Sequence, residues 1–501
     1  MADIIVSKKN ESFLNIDCEM GILYELKEHF TFMVEGAKYS PKFKAKVWDG
    51  TISLIDLRFG TLPAGLYYEL LDVAKKLGYE VEVKTNQYGS PIDKNDISIE
   101  ELKIFINGLK LHSKNIQLEV RDYQIEAIYN CIHNQRQISI SPTGSGKSLI
   151  LYVIYRWYLS KGKEHTMLIV PTLGLVKQMI SDFKDYSSHN EFDVTSTTQV
   201  IAEGGDKNIT KNLIVSTWQS VYKQTSKYFS VVDVLMGDEI HQYKAEAMKG
   251  IFEKASETKY RIGVTGSLDK SAVNKMVLRG LIGEMSRVKS TRDLIDEGYL
   301  SEINIKCIIL KYNNDSKKLI KNADYQTEIS FICQHKRRNS FISKLALQQQ
   351  GNTLVLFNFV ETHGELLYEE IKKTASKQKT HLVHGDIKTE ERESIRLEVQ
   401  NSSDDNIIVA SVGTFSTGVN LPRIHTIIFA TPTKSVIRVM QSIGRGLRKA
   451  GDKSHLKLFD IADLIVPSKV KPNYTFKHFA ERLRIYTDEQ HPYKIVEADI
   501  E

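Results

Sequence analysis

No stretch of this chain approaches the roughly 20 consecutive apolar residues that a helix needs to cross a bilayer, so no membrane-spanning helix is expected. Its first residues, MADIIVSKKNESF, lack the charged segment and apolar run of a secreted precursor, and a soluble, cytoplasmic setting is the expectation. Cysteine is scarce: Cys18, Cys131, Cys307 and Cys333 stand singly among 501 residues. Without paired spacing they supply neither a zinc-ligand set nor a disulfide framework, which leaves them as core thiols. An excess of one charge is missing too. The 68 basic residues exceed the 62 acidic ones by only enough to give +6, a mild bias toward a polyanionic partner that many proteins without one share. Short-period repeats and low-complexity segments are absent, which excludes solenoids and tails.

What is present is length and a recurring pattern. A chain of 501 residues favours two to four domains. From about residue 137, short apolar runs alternate with turns and longer helical stretches: QISIS, TMLIV, NLIVS, VDVLMG and YRIGVT, then after residue 350 NTLVLF, THLV, NIIVA, TIIFA and LKLFD. Runs apolar on both faces and separated by helices are the mark of buried parallel strands, hence of α/β lobes. They fall into two sets, giving a small α+β domain over 1–97, a first lobe over 98–300 and a second over 301–501. In the first domain, alternation in KFKAKVWDGTISLIDL predicts a hairpin turning at Asp49 and Gly50. Its strand would align Lys42, Lys44 and Lys46 on one face, with Lys38 and Arg58 nearby, either as a surface for duplex phosphates or as protection of a sheet edge. A capping box from Ser98 to Glu101 predicts a helix start. Near the end, NYTFKHFAERLRIYTDEQ reads as an amphipathic helix carrying Lys477, Arg482 and Arg484, which would cap the second lobe or track a polyanion.

The stretch SISPTGSGKSLI carries the first chemistry. A strand leads into Pro142, Thr143, Gly144, Ser145 and Gly146, and Lys147 and Ser148 open an apolar helix. In that context the glycines let backbone N–H groups curl around phosphate oxygens, Lys147 reaches the β and γ phosphates, and Ser148 binds Mg²⁺. Asp238 and Glu239 close the run VLMGDE; Asp238 would hold the same Mg²⁺ and Glu239 would polarise the attacking water. In QSIGRGLRK, Arg445 and Arg448 lie three apart, on one face of a helix, suited to reach a γ phosphate as arginine fingers with Gln441 beside them.

Together these segments resemble the superfamily two helicases. RDYQIEAI resembles the segment before the P-loop, SPTGSGKS motif I, VPTLGLVKQM motif Ia, VSTWQS motif Ib, DEIH motif II of the DExH type and VTGSL motif III. LVLFNFVE resembles motif IV, ASVGTFSTGVNLP motif V and QSIGRGLR motif VI, in the family's order from residue 121 to about 465. The resemblance implies two RecA-like lobes with ATP and Mg²⁺ between them, and Arg121 and Gln124 at the adenine. It implies coupling through His241, Thr265, Ser267 and Gly418. Sequence-independent nucleic-acid contacts are implied at Pro171, Thr172, Ser216, Thr217, Asn358, Ser411 and Thr417. Motif V departs from the common pattern, with Asn420 where many members carry aspartate. The first domain and the segments KVWDGTISLID, LIDEGYL and GTFSTGVNLP are similar to phage recombination and repair helicases. That implies a monomeric DNA-dependent ATPase acting on branched or duplex DNA, with RNA–DNA hybrids, single-strand-binding and recombination proteins as further partners. A duplex translocase that does not separate strands and an RNA helicase remain alternatives.

Overall fold

The computed structural model describes residues 2–500 apart from Glu35, Ile92, Thr143, Lys244, 267–271, Ser301, Lys321, Ser403, 415–423, 432–454, 467–471 and Glu489. The chain divides into two compact units, residues 1–141 with 145–288 and residues 289–501 with 142–144. Among the described residues no helix is long and apolar enough to cross a membrane.

The first unit is built on a seven-stranded parallel sheet. Its order is Thr198–Ile201, Leu213–Thr217, Thr166–Val170, Val234–Asp238, Tyr260–Thr265, Arg136–Ile140 and Glu284–Ser286. The runs TMLIV, LIVST and VLMGD are buried at every position, as strands covered on both faces must be. Helix Lys147–Ser160 is buried continuously from Leu149 to Tyr155. Tyr152 and Tyr155 pack on Phe183 of helix Leu173–Tyr186.

The second unit repeats the plan. Its seven parallel strands lie in the order Lys379–Val383, Asn406–Ser411, Asn352–Phe357, Ile424–Phe429, His455–Leu464, Glu302–Lys311 and Tyr493–Asp499. The chain is therefore an α/β protein of two parallel-sheet lobes preceded by a small α+β domain. All ten apolar runs are strands, and four further strands join them. Three of these, Thr198–Ile201, Glu284–Ser286 and Tyr493–Asp499, lie at sheet edges, where one flank is free of partners and no apolar run is required. The fourth, Glu302–Lys311, alternates exposed and buried residues over its first half, so it does not read as a buried run.

The small domain is a four-stranded sheet in the order Thr61–Pro63, Phe13–Cys18, Ile4–Lys8 and Val81–Lys84, antiparallel except for the last pair. Helices Met20–His29 and Tyr67–Leu77 bury Leu23, Leu26, Leu70 and Val73 in its core. The hairpin predicted around Lys42, Lys44 and Lys46 does not form. Pro41, whose fixed φ suits the first helical position, starts the single turn Pro41–Lys44, and Lys46 adopts φ +56°. Strand Thr51–Ser53 pairs instead with Thr31–Met33. The three lysines are exposed but form no row, because a period of two needs a strand partner that this segment lacks.

Buried polar contacts weld this domain to the first lobe. Arg261 is fully buried and donates to the carbonyls of Ala255, Thr258 and Leu281 and to the hydroxyl of Ser12, at 2.6–3.0 Å. Ser12 in turn donates to Phe252 O at 2.9 Å, and Arg136 donates to Glu11 O. Gly65 admits no side chain, since a Cβ there would lie 1.9 Å from Arg279 O. Ser98 caps helix Ile99–Gly108 by accepting from Glu101 N at 3.0 Å, while the Glu101 carboxylate pairs with Lys161 at 3.1 Å.

Two buried ion pairs organise the second lobe. Arg338 meets Asp463 at 2.7 Å, joined by the Tyr312 hydroxyl, and donates to Ala430 O at 2.6 Å. Arg482, on the helix expected to cap the second lobe or track a polyanion, is buried against Asp460 at 2.7–3.0 Å, with Tyr486 OH at 2.9 Å. Helical spacing set the residue on one face, but not which face turned inward. Removing one partner leaves an uncompensated buried charge, so Asp460→Asn should lower stability by about 3–5 kcal/mol. The double replacement Asp460→Leu with Arg482→Met should lose far less, as read by denaturant melts.

Candidate functional site

The chemistry gathers at the carboxyl edge of the first sheet. After strand Arg136–Ile140 the chain turns through Gly144 and Gly146, both left-handed at φ +89° and +90°, where side chains are strained. A Cβ on Gly146 would also lie 2.3 Å from Gln124 Nε2. Gly146 caps helix Lys147–Ser160, whose first N–H groups and positive dipole end face the turn, a ready anion cradle.

Gln124 braces this cradle. Its Nε2 donates to Ser145 O at 2.7 Å, and its Oε1 accepts from Arg121 N at 3.0 Å. Tyr123 OH donates to the same Ser145 carbonyl at 2.8 Å, and Arg121 Nη1 donates to Tyr123 OH at 3.1 Å. Arg121 and Gln124 thus sit against the turn. Pro142, Ser145 and Asp238 are buried, and Gly144, Lys147 and Ser148 are partly accessible.

Strand Val234–Asp238 ends in the acidic pair. Glu239 takes a left-handed conformation, φ +49°, unusual for a side chain and typical of strain held at a functional site. Its carboxylate lies 3.2 Å from Lys147 Nζ and 3.5 Å from His241 Nδ1, and accepts from Gly266 N at 3.3 Å. Asp238 accepts from Glu239 N at 2.9 Å. Burial, and then the neighbouring Glu239 charge, push Asp238 well above the usual carboxylate range. Burial pushes Glu239 upward as well, but Lys147 and His241 outweigh it and hold that carboxyl low. The two acids are driven apart, one matched to a lysine and the other without an ion-pair partner among the described residues. A buried carboxylate of that kind, on the edge that also carries the Ser148 hydroxyl, is a hard-oxygen donor set suited to Mg²⁺.

Thr265 links the two sides. It ends the strand lying between the P-loop strand and the acidic strand, and its carbonyl accepts from Ser141 N at 2.8 Å. Its hydroxyl meets His241 Nδ1 at 2.5 Å. A residue that sequence reasoning missed stands on the far side: Tyr186 OH lies 2.8 Å from Ser148 Oγ. Nothing in the sequence signals a pair 38 positions apart.

The expected nucleic-acid residues lie at strand ends: Pro171 and Thr172 follow Val170, the register partner of Thr217, and Asn358 follows Phe357, the register partner of Ser411. Thr172 caps helix Leu173–Tyr186 through Leu175 N at 3.3 Å, beside the buried Pro171. Ser216 is a correction: it lies inside a strand, fully buried, and its hydroxyl donates to Ile201 O at 2.8 Å, so that side chain is withdrawn from any ligand. Thr217 is buried with its hydroxyl 3.0 Å from Ser220 Oγ, and Asn358 is exposed. Ser411 Oγ accepts from Thr414 N at 3.2 Å. Thr143, Ser267, Thr417, Gly418, Gln441, Arg445 and Arg448 lie outside the described residues.

Comparison with known proteins accords with this architecture. Residues 3–84 match the family model "DNA helicase UvsW, N-terminal", residues 117–270 "Type III restriction enzyme, res subunit", and residues 337–450 "Helicase conserved C-terminal domain". The ATP-dependent DNA helicase UvsW of enterobacteria phage T4 is 32% identical over 98% of each chain. The crystal structure of T4 UvsW, at 29% identity, covers 100% of both chains with a TM-score of 0.53. A putative ATP-dependent helicase of Saccharomyces cerevisiae, IRC3, is 24% identical over 73% of this chain and 54% of its own length.

The brace at Gln124 has a measurable consequence. Gln124→Ala leaves Arg121 N without its acceptor and Ser145 O with one donor fewer, at about 1–3 kcal/mol of local stability. Amide hydrogen exchange over 144–148 should accelerate by about tenfold or more; unchanged exchange would show that the turn holds itself.

Proposed function

This chain belongs to the UvsW family of ATP-dependent DNA helicases, and we propose that it couples ATP hydrolysis to the remodelling of branched DNA: forks, Holliday junctions, displacement loops and RNA-containing loops. What carries the reading is that the likeness extends through the N-terminal domain as well as both lobes, rather than being confined to a motor core that many activities share. The partners that follow are DNA and RNA–DNA hybrids, bound without regard to sequence, with single-strand-binding and recombination proteins acting on the same intermediates.

In this proposal the amides from Gly144 to Ser148 and the helix N-terminus hold the phosphates of ATP, while Arg121 and Gln124 meet the adenine. Lys147 exchanges Glu239 for the γ phosphate. That exchange leaves Glu239, ionised and oriented by His241, free to take a proton from the attacking water. Ser148 and Asp238 hold Mg²⁺, which when bound neutralises charge on the phosphate oxygens. Arg445 and Arg448, with Gln441, stabilise the charge that develops as the γ phosphate leaves. Thr265 senses the change from both sides, its carbonyl bonded to Ser141 after the P-loop strand and its hydroxyl to His241 after the acidic strand. With Ser267 and Gly418 it carries the nucleotide state to the DNA contacts at Pro171, Thr172, Thr217, Asn358, Ser411 and Thr417. Ser216 takes part only through its backbone. The exposed Lys42, Lys44 and Lys46 add phosphate contacts from the N-terminal domain.

Lys147→Ala should reduce DNA-stimulated ATP hydrolysis by about 10²-fold or more while DNA binding persists. Hydrolysis at the parental rate in that variant rejects the assignment. Arg445→Ala should lower turnover by about 10³-fold with little change in nucleotide affinity, and an unchanged turnover removes its role. Stimulation by matched DNA and RNA, with forked and blunt substrates compared, separates branched-DNA remodelling from RNA unwinding.

A further inference from the structure

Between the N-terminal domain and the first lobe, within one unit, lies an open hollow of about 900 Å³, and the sequence motifs leave it without a role. Ile52, Leu54, Val277 and Leu281 contribute its apolar wall. At its rim stands Phe59, 57% exposed.

That exposure is built. Phe59 rides a tight turn closed by Asp56 N donating to Thr61 O at 2.9 Å and Thr61 N donating to Asp56 O at 3.2 Å. The Asp56 carboxylate accepts from Arg58 N at 2.9 Å and from Phe59 N at 3.4 Å. Gly60 completes the turn at φ +57°, and a Cβ there would lie 2.6 Å from Ile16 O, so no other residue fits. Two cations on mobile side chains lie over the ring, Lys9 Nζ 5.2 Å and the Arg58 guanidinium 5.8 Å from its centroid, within reach of the phosphates of a base that takes their place on it. Lys27 and Lys249 add positive charge to the lining. Of the acids there, Asp56 is bonded into the turn and Glu253 faces Lys249 at 3.7 Å, which leaves Glu246.

We propose that this hollow receives an unpaired base of the DNA strand, stacked on Phe59, with its flanking phosphates held by Lys9 and Arg58. The inference rests on the DNA-remodelling reading and names where single-stranded DNA meets the N-terminal domain. A rigid aromatic between cations complements a nucleotide, because every base presents a π face and every link a negative charge; recognition is then independent of sequence. An intact duplex keeps its bases stacked and offers no face to this ring. The size of the hollow lies within the range of ligand pockets.

The test uses the full chain with a short oligothymidylate, the same oligomer built from abasic residues, and a blunt duplex. The parent should bind oligothymidylate about tenfold more tightly than the abasic oligomer, and Phe59→Ala should remove that difference. Phe59→Trp should restore it. Neutralising Lys9 or Arg58 should each lower the slope of log affinity against log salt by about 0.7. Equal affinity of the parent for the two oligomers overturns the proposal, as does parental affinity of Phe59→Ala for oligothymidylate. The comparison of oligomers on the parent decides the matter even where a variant folds poorly. Stimulation of the parent's ATP hydrolysis by a forked duplex tests the motor reading separately and persists if only the base site is wrong.

Discussion

The ion pair between Lys147 and Glu239, 3.2 Å apart, depends on the order of strands in the first sheet. Lys147 follows strand Arg136–Ile140 and Glu239 follows strand Val234–Asp238, and the two strands are separated by Tyr260–Thr265 alone. All three are parallel, so their carboxyl ends face the same way, and side chains distant in sequence converge at one edge. The middle strand ends in Thr265, which reaches Ser141 just past one neighbour and His241 just past the other. A parallel sheet with another strand order would carry the same residues and scatter them.

Holding a lysine against a glutamate in a buried cradle also stores a choice. Lys147 pairs with Glu239, and burial, which pushes that carboxyl upward, is outweighed by Lys147 and His241, which hold it low. In the proposed cycle a triphosphate competes for the same ammonium, so binding itself releases the carboxylate that the chemistry needs. The backbone at Glu239 is left-handed, and Gln124 braces the turn just before Lys147 through Ser145 O. The N-terminal domain belongs to the same rigid frame: Arg261, buried among carbonyls and the Ser12 hydroxyl, fastens it to the lobe that holds the cradle.

What could be read from the sequence follows from how local each signal is. The strands ending in Asp238 and Thr265 carry the apolar runs VLMG and IGV, and SPTGSGKS needs glycine at the two positions that adopt positive φ, so both are legible without tertiary knowledge. Glu302–Lys311 is buried on one side only in its first half, and it looks like a connector until its partners are known. The alternation around Lys42 lacks a strand to pair with and becomes a helical turn, and Arg482 shares a face with residues that turn inward. Ser216 and Tyr186 show the same limit at the site. Whether a hydroxyl faces a neighbouring strand or a cleft, and which tyrosine reaches Ser148, are set by packing between segments far apart in the chain.

The most direct test of the account is Glu239→Gln, which preserves shape and removes the charge that Lys147 pairs with. ATP should still bind with near-parental affinity, while single-turnover hydrolysis on forked DNA falls by about 10²-fold or more. Hydrolysis at the parental rate with ATP bound would contradict the proposed role of the Glu239 carboxylate.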